Sequence, residues 1–259
     1  MDRKLNYFKF ESYNNGAPKI LILHGLMGSL RNWSMVGKLL SKNFEVHLLD
    51  LRNHGESFWS KTMDWGDLAN DLVNYLDSQE LEYPIHLLGH SYGGKIAMHF
   101  ATINPKRVNK LVIVDIAAKD YPPHYKKEFE SMMGLDLRSF VTREEVSVAL
   151  SDKIPDLSFR ESMLTNLKRS DVGFSWKPNL EILYKNLELI RSNPLTPNME
   201  YKGNTLLVKG ELSDFIKAED ISSMKSYFPK LSLVLMKGVG HNPHAEGRNE
   251  FVDKLIEWL

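Results

Sequence analysis

A serine flanked by glycines follows a short apolar run near the middle of the chain. Residues 85–88 read Ile-His-Leu-Leu and are mostly apolar, residues 89–93 read Gly-His-Ser-Tyr-Gly, and an apolar pattern with helical spacing begins directly afterwards. In a sharp turn between a strand and a helix, glycine on either side lets the two elements approach closely around a strained serine. This context predicts that Ser91 lies exposed in the turn and acts as a nucleophile.

A serine becomes a good nucleophile only when a base removes its proton, and that base is usually a histidine at another strand's carboxyl end. After the last apolar run, residues 238–244 read Gly-Val-Gly-His-Asn-Pro-His. His241 comes first in this loop and follows a glycine, so we predict that it is the base. His244 is the alternative, although its position favours packing against the first turn of the final helix.

The base needs an acceptor on its second ring nitrogen, which fixes the tautomer and stabilises the imidazolium. Two carboxylates stand at the ends of neighbouring predicted strands, Asp115 after residues 108–114 and Asp214 after residues 205–209. Topology alone does not choose between them. A structural role as a helix cap or turn residue is the other interpretation, and it weighs most for Asp214, which precedes a helical pattern.

Two backbone N–H groups are needed to hold the oxyanion that develops on the attacked carbonyl. Tyr92 supplies one of them from the turn itself. The second is expected from Leu26, in the loop after the first parallel strand, where flanking glycines keep the backbone accessible. His24 in the same loop is interpreted as a brace that acts through hydrogen bonds.

Apolar runs that alternate with helical patterns must bring these residues to one edge of a sheet. Runs that are apolar throughout indicate parallel strands covered by helices on both faces. Residues 119–195 contain helical patterns and no strand-like run, which predicts an all-helical cap over the carboxyl ends of the strands. We therefore expect an α/β core domain of residues 1–118 and 196–259, with a helical cap (lid) of residues 119–195.

The composition excludes several other functions. Lys and Arg total 33, as do Asp and Glu, so the net charge is zero and no basic field is available for nucleic acid. The chain has no cysteine, which removes disulfides and thiol nucleophiles and fits a cytoplasmic location. No apolar run reaches the roughly 18 residues of a membrane span, and residues 1–7 lack the apolar core of a signal peptide.

Neither a metal nor an organic cofactor is expected. His241 and His244 lie in one loop with no obvious third ligand, and the chain contains no zinc motif. The glycine-rich loops match no nucleotide-binding pattern. The apolar residues Phe129, Met132, Met133 and Phe140 are interpreted mainly as helix packing, with an acyl pocket under the cap as the alternative.

The chain resembles members of the α/β-hydrolase fold family over nearly its whole length, in His24-Gly25, residues 89–93, the cap and Gly240-His241. Residues 50–57, 89–95 and 114–117 are similar to the small bacterial esterases related to abhydrolase domain-containing protein 11. The resemblance implies a mostly parallel eight-stranded sheet with the cap inserted after the sixth strand. It also implies an esterase or thioesterase that acts on short acyl chains without a cofactor.

The resemblance bears on the acid as well. In this branch the acid lies on the strand after the serine turn and its helix, a position that matches Asp115. The more usual family position, three residues after the glycine of the next strand, holds Ser213 here. Both points favour Asp115, whereas Asp214, one residue further on, keeps the second assignment open.

We predict a serine hydrolase that cleaves small-molecule carboxylic esters or thioesters through Ser91, His241 and Asp115. One alternative is a lyase of menaquinone biosynthesis, which resembles this chain in the serine turn and cap. Its substrate would need inward-facing arginines, for which Arg52 and Arg138 are the candidates, although solvated positions are favoured for both. A second alternative is a non-catalytic ligand-binding protein on a hydrolase fold, against which the intact serine, histidine and acid argue.

Overall fold

A seven-stranded sheet lies at the centre of the protein, in a computed structural model that describes residues 4–12, 14, 16–81, 84–122 and 124–259. The strands of this sheet and of a small hairpin are β1 (Tyr7–Phe10), β2 (Lys19–Leu23), β3 (Glu45–Leu49), β4 (Ile85–His90), β5 (Val108–Val114), β6 (Leu167–Arg169), β7 (Phe174–Trp176), β8 (Asn204–Gly210) and β9 (Leu231–Met236). The sheet order is β1-β3-β2-β4-β5-β8-β9. Within the described part of this sheet, β1 is the one strand that runs antiparallel to its neighbour.

Helices cover both faces of the sheet and fill the segment between β5 and β8. They are α1 (Ser34–Leu40), α2 (Trp65–Ser78), α3 (Tyr92–Ile103), α4 (Lys126–Met133), α5 (Arg143–Leu150), α6 (Leu157–Leu164), α7 (Leu180–Lys185), α8 (Leu187–Arg191), α9 (Ala218–Tyr227), α10 (Pro243–Glu246) and α11 (Arg248–Trp258). No helix in the described part of the chain is long and apolar enough to cross a membrane.

The central strands are apolar on both faces because each face contacts a different layer of helices. Along β2, Ile20 and Ile22 join the core that α1 and α11 cover, whereas Leu21 and Leu23 join the core that α2 and α3 cover. All six residues of β4 are buried. This burial fixes the register of the strands, so that the carboxyl ends of β2, β4, β5 and β8 meet at one edge.

The expected eight-stranded sheet is wrong for the described residues, because a single strand, β1, precedes β2. The segment between them turns, with the Ala17 N–H donating to the Asn14 carbonyl at 3.2 Å, and Pro18 then offers no N–H for pairing. The long insertion therefore follows the fifth strand of the sheet and not the sixth. Residues 1–3, part of the N-terminal stretch interpreted above, lie outside the described residues.

The segment 119–195 is not all-helical, because β6 and β7 form an antiparallel hairpin within it. Each strand has only three residues, too few to show an alternating pattern in the sequence. The hairpin turns at Gly173, whose φ of +70° is the left-handed conformation that glycine adopts without cost. This segment leaves the carboxyl end of β5 next to the serine turn, and the carbonyls of Lys119 and Arg191 near its two ends accept hydrogen bonds from Lys95 of α3, which places the segment over the site.

Candidate active site

The serine turn has the strained geometry that the sequence suggested. Ser91 lies between β4 and α3 with φ 50° and ψ −118°, a conformation that costs a non-glycine residue about 1–3 kcal/mol. A Cβ atom on Gly93 would lie 2.5 Å from the carbonyl oxygen of His24, and one on Gly89 would overlap the backbone of Gly93. Glycine is therefore required on both sides, because backbone atoms occupy the space that a side chain would need.

The structure brings His241 and Asp115 together. Nδ1 of His241 lies 2.8 Å from Oδ2 of Asp115, which is fully buried at the end of β5. The carboxylate also accepts hydrogen bonds from the Gly210 N–H at 3.0 Å and from the Ser213 hydroxyl. A carboxylate only accepts, so Nδ1 of His241 carries the proton and Nε2 is left free to act as a base.

Asp214 does not take part in this arrangement. Its side chain is exposed, whereas the neighbouring Ser213 is buried and directs its hydroxyl at Asp115. The geometry thus places Asp115, and not Asp214, against the histidine. The catalytic role of Asp115 stays a prediction that substitution can test.

Two contacts fix the His241 ring and its backbone. The ring of Phe215 stacks on the imidazole at 3.8 Å between centroids, with an interplanar angle of 15°. The His241 carbonyl accepts a hydrogen bond of 2.8 Å from Nε2 of His90. Burial, with nearby His244 and His241, lowers the pKa of His90 well below its usual 6.5, so the ring stays neutral and keeps this donor role.

His244 packs as the sequence favoured. It is buried, and its ring stacks on Trp33 at 4.1 Å between centroids. Burial lowers the pKa of His244 to about 3, because the charged ring would lose its solvation. It does not line the cavity beside Ser91, so it cannot receive the serine proton.

The backbone N–H groups of Leu26 and Tyr92 border the same cavity as Ser91. Within the described part of the chain, neither N–H has a hydrogen-bond acceptor. His24 braces this loop, since its Nδ1–H donates to the Gly25 carbonyl at 2.8 Å and its Nε2 accepts from the Leu51 N–H at 3.1 Å. Burial lowers the pKa of His24 to about 4, which keeps the ring neutral for both contacts.

A side chain that the sequence gave no reason to choose also holds this loop. Asn166, buried just before β6, donates from Nδ2 to the Met27 carbonyl at 2.7 Å. Met27 itself has a φ of 58°, so the loop depends on outside support. The contact spans 139 positions of the chain and joins the 119–195 segment to the loop that carries Leu26.

A cavity of about 300 Å³ opens between the serine turn and the 119–195 segment. The sheet side contributes Ser91, His241 and the two backbone donors. The opposite wall is largely apolar and is formed by Phe129, Met132, Phe159, Met163 and Ile190. Phe129 and Met132 therefore face the cavity, as the acyl-pocket interpretation requires, whereas Met133, which is exposed, and Phe140 do not line it.

The two arginines offered for a lyase do not reach the cavity. Arg52 is not solvated, because its Nε pairs with Asp71 at 2.5 Å in a buried ion pair. Arg138 is exposed and pairs with Asp136. The arginine that does line the cavity is Arg191, at the end of α8. No pattern in the sequence singled it out.

Lys95, one turn after Ser91, ties the 119–195 segment to the serine turn. Its Nζ donates to the carbonyl oxygens of Lys119 at 3.0 Å, of Arg191 at 2.8 Å and of Ser192. Burial lowers the pKa of Lys95 to about 7, with Arg191 the next cause. The sequence signal that could have identified Lys95 is the presence of a lysine among the apolar residues of a helix that is expected to be buried.

Metal chemistry gains no candidate from these residues. In the described ranges, no group of three or more histidine, aspartate or glutamate side chains is arranged to hold a metal ion. The arrangement instead offers a nucleophile, a base with an oriented ring, and two unpaired backbone donors on one cavity wall. These are the parts of an acyl-transfer site.

Comparison with known proteins gives the family. The model of the alpha/beta hydrolase fold family matches residues 18–248. The sn-1-specific diacylglycerol lipase ABHD11 of Xenopus laevis is 31% identical over 255 residues, which cover 94% of this chain and 80% of that protein. A putative esterase/lipase of Haemophilus influenzae is 30% identical over 261 residues, covering 98% of this chain and 87% of the relative.

A solved structure agrees with these matches. An esterase from a marine microorganism superposes with a TM-score of 0.93 at 35% identity and covers 99% of both chains. Since the family model spans most of the chain and relatives of at least 30% identity cover nearly all of it, this protein belongs to the alpha/beta hydrolase fold family and is related within it to ABHD11.

Proposed function

We propose that this protein is a carboxylesterase-type serine hydrolase that cleaves esters or thioesters through an acyl-enzyme on Ser91. The observation that carries the proposal is the meeting of Ser91, the His241–Asp115 pair and two unpaired backbone N–H groups on one cavity. The related proteins bear the names diacylglycerol lipase, esterase/lipase and esterase. Their names support ester hydrolysis as the general reaction of this site.

In the proposed first step, Nε2 of His241 accepts the proton of the Ser91 hydroxyl as Oγ attacks the carbonyl carbon of the substrate. The carbonyl oxygen becomes an oxyanion, which the Leu26 and Tyr92 N–H groups hold. Each such donor typically contributes about 2.7–4 kcal/mol to transition-state stabilisation. Asp115 stabilises the imidazolium by accepting the hydrogen bond from Nδ1.

The tetrahedral intermediate then collapses. The bond from the carbonyl carbon to the alcohol or thiol breaks, and His241 returns its proton to the leaving group. A water molecule next gives a proton to Nε2 of His241 and attacks the carbonyl carbon of the acyl-enzyme. The bond from that carbon to Oγ of Ser91 then breaks, His241 returns its proton to Oγ, and the carboxylic acid leaves. The bulk of the 119–195 segment, which we propose acts as a lid, limits access of competing nucleophiles to the acyl group.

The cavity wall bears on the acyl group. Phe129, Met132 and Met163 offer an apolar surface opposite Ser91, and the cavity between them has a volume of about 300 Å³. We propose that a short acyl chain lies against this wall, because burial of its methylene groups is favourable by roughly 0.8 kcal/mol each until the space is filled. Longer chains would have to displace the lid.

A chain-length series tests the proposed function. Initial rates are measured with 4-nitrophenyl esters and acyl-CoA thioesters from acetyl to decanoyl, for the wild-type protein and for Ser91→Ala. The proposal expects a maximum among the short chains and loss of turnover in the variant. His241→Ala should fail in the same way, whereas His244→Ala, if folded, should keep its turnover. Equal rates for wild type and Ser91→Ala would contradict the proposal and favour a non-catalytic ligand-binding protein.

A further inference from the structure

We propose that Arg191 is an anion-binding residue of the active-site cavity, so that the preferred substrate is an ester that carries a carboxylate. This inference rests on the proposed ester hydrolysis and adds to it the chemical class of the substrate. Arg191 lines the cavity together with Ser91 and His241. Its guanidinium is therefore within the space that a bound ester occupies.

The charge of Arg191 is buried without a counter-ion. The side chain is only 8% exposed, yet among the described residues no carboxylate lies within 4.0 Å of its guanidinium nitrogens. Burial lowers the pKa of Arg191 from its usual value, because the partly desolvated guanidinium has no carboxylate beside it in the described part of the chain. An unpaired buried cation is costly, and such groups are found where a ligand completes the pairing.

Hydrogen bonding leaves most of the guanidinium free. Nε donates to the Pro122 carbonyl at 2.9 Å, and in the described part of the chain the two terminal nitrogens have no acceptor. The planar fork of a guanidinium matches the two oxygens of a carboxylate. The free N–H groups are thus of the type and number that hold a carboxylate in two hydrogen bonds.

Aromatic rings hold the guanidinium in place. It lies over Tyr121 at 5.1 Å from the ring centroid, and over Tyr125 and Phe215 at 5.9 Å each. These contacts favour the cation by electrostatic attraction to the ring faces but leave its N–H edge unpaired. Phe215 also stacks on His241, so the anion site and the base share one aromatic residue.

Other ionisable groups on the cavity wall do not neutralise Arg191. Lys95 is directed at three backbone carbonyls and adds to the positive field. Glu128 lines the cavity but makes no ion pair with Arg191. Since Glu128 would repel a bound carboxylate, its replacement by glutamine should strengthen the preference for anionic esters.

The buried Arg160 provides a matched control. It is also 8% exposed and lies in the same segment, but it does not line the cavity. Its guanidinium is paired with the Ile154 and Pro155 carbonyls and with the Ser147 hydroxyl. Arg160→Met therefore removes a buried arginine of structural role without touching the proposed anion site.

The test compares isosteric esters. On the acyl side, 4-nitrophenyl hemiglutarate is paired with 4-nitrophenyl 5-methylhexanoate; on the alcohol side, 4-carboxyphenyl butyrate is paired with 4-isopropylphenyl butyrate. The ratio of kcat/KM within a pair is measured for wild type, Arg191→Met, Arg191→Lys and Arg160→Met. Dividing the variant's ratio by the wild-type ratio cancels the intrinsic reactivity of each ester, and the responding pair identifies the side that carries the carboxylate.

We expect Arg191→Met to lower the anionic-to-neutral ratio of one pair by about 10- to 100-fold, chiefly through KM. Arg191→Lys keeps the charge and should lose only part of this preference, and Arg160→Met should leave the ratio unchanged. Equal losses for the anionic and neutral ester in Arg191→Met would overturn the proposal, because a purely structural role of Arg191 predicts that result. The proposal would also be overturned if Arg191→Met and Arg191→Lys both kept the wild-type ratio.

A binding measurement separates this inference from the proposed function. In Ser91→Ala, glutarate should raise the unfolding temperature, and Ser91→Ala with Arg191→Met should lose that shift. If glutarate raises the unfolding temperature in an Arg191-dependent way but the wild-type protein turns over no ester, the hydrolase function is rejected and the anion site is supported. Turnover of neutral esters without a glutarate shift that depends on Arg191 would reject the anion site alone.

Discussion

Replacing Asp115 by asparagine tests how the carboxylate controls the tautomer of His241. Oδ1 of Asp115 accepts from the Gly210 N–H at 3.0 Å, and Oδ2 faces Nδ1 of His241 at 2.8 Å. In Asp115→Asn the amide oxygen must stay at the Oδ1 position, because the Gly210 N–H needs an acceptor. The amide NH₂ then takes the Oδ2 position and donates to Nδ1.

This reversal moves the histidine proton to the wrong nitrogen. With Nδ1 accepting, the neutral ring carries its proton on Nε2 and no longer accepts the proton of Ser91. A change of this kind lowers kcat about 10⁴-fold in serine proteases, equivalent to roughly 5 kcal/mol of transition-state stabilisation. The Ser213 hydroxyl can turn to accept from the new amide, so the variant should keep its fold.

Asp214→Asn is the matched control, since Asp214 is exposed and one residue from Ser213. Initial rates with 4-nitrophenyl butyrate should fall by about 10⁴ for Asp115→Asn and change less than about twofold for Asp214→Asn. Circular dichroism and the urea midpoint would establish that both variants are folded. Activity of Asp115→Asn within tenfold of wild type, with a large loss in Asp214→Asn, would refute this account and make Asp214 the acid.

Two further predictions concern the stability of the site. Gly93→Ala should lower the free energy of unfolding by more than about 3 kcal/mol, because its Cβ would lie 2.5 Å from the His24 carbonyl oxygen. Gly66→Ala, at an exposed position of α2, should change the free energy of unfolding by less than about 1 kcal/mol. Equal urea midpoints for the two variants would contradict the tight approach of β2 and α3. Burial lowers the pKa of His54 from 6.5 to about 3, so below pH 6.5 the unfolded state binds the extra proton and acid weakens the fold. Between pH 7 and pH 5, the free energy of unfolding should therefore fall by about 2 kcal/mol less in His54→Asn than in wild type. A variant of the exposed His124 serves as the control, and its free energy of unfolding should fall as much as that of wild type. Equal falls in all three proteins would exclude a neutral buried His54.

The central sheet and the serine turn could be predicted because their signals are local. Each parallel strand is a short apolar run, and the glycines around Ser91 record a close backbone approach that no other residue tolerates. His241 could be chosen on the same kind of evidence, since it is the first histidine in the loop after the last strand and follows a glycine. These features depend on residues that are neighbours in the chain.

The parts that could not be predicted depend on contacts between distant residues. Asn166 reaches Met27 across 139 positions, and nothing near either residue signals the pair. The choice between Asp115 and Asp214 depended on how the loop after β8 turns Ser213 inward and Asp214 outward. Arg191 was not singled out from the sequence, because its place on the cavity wall, without a carboxylate partner among the described residues, is a property of the fold and not of the neighbouring residues.

The most direct test of the central claim is the mass of the protein after reaction with a fluorophosphonate. The account predicts a single adduct on Ser91 of the folded wild-type protein, because His241 activates that hydroxyl and the Leu26 and Tyr92 amides hold the phosphonyl oxygen. Ser91→Ala should show no adduct, and His241→Ala should react far more slowly. The absence of an adduct on folded wild type, or an adduct that persists in Ser91→Ala, would contradict the account.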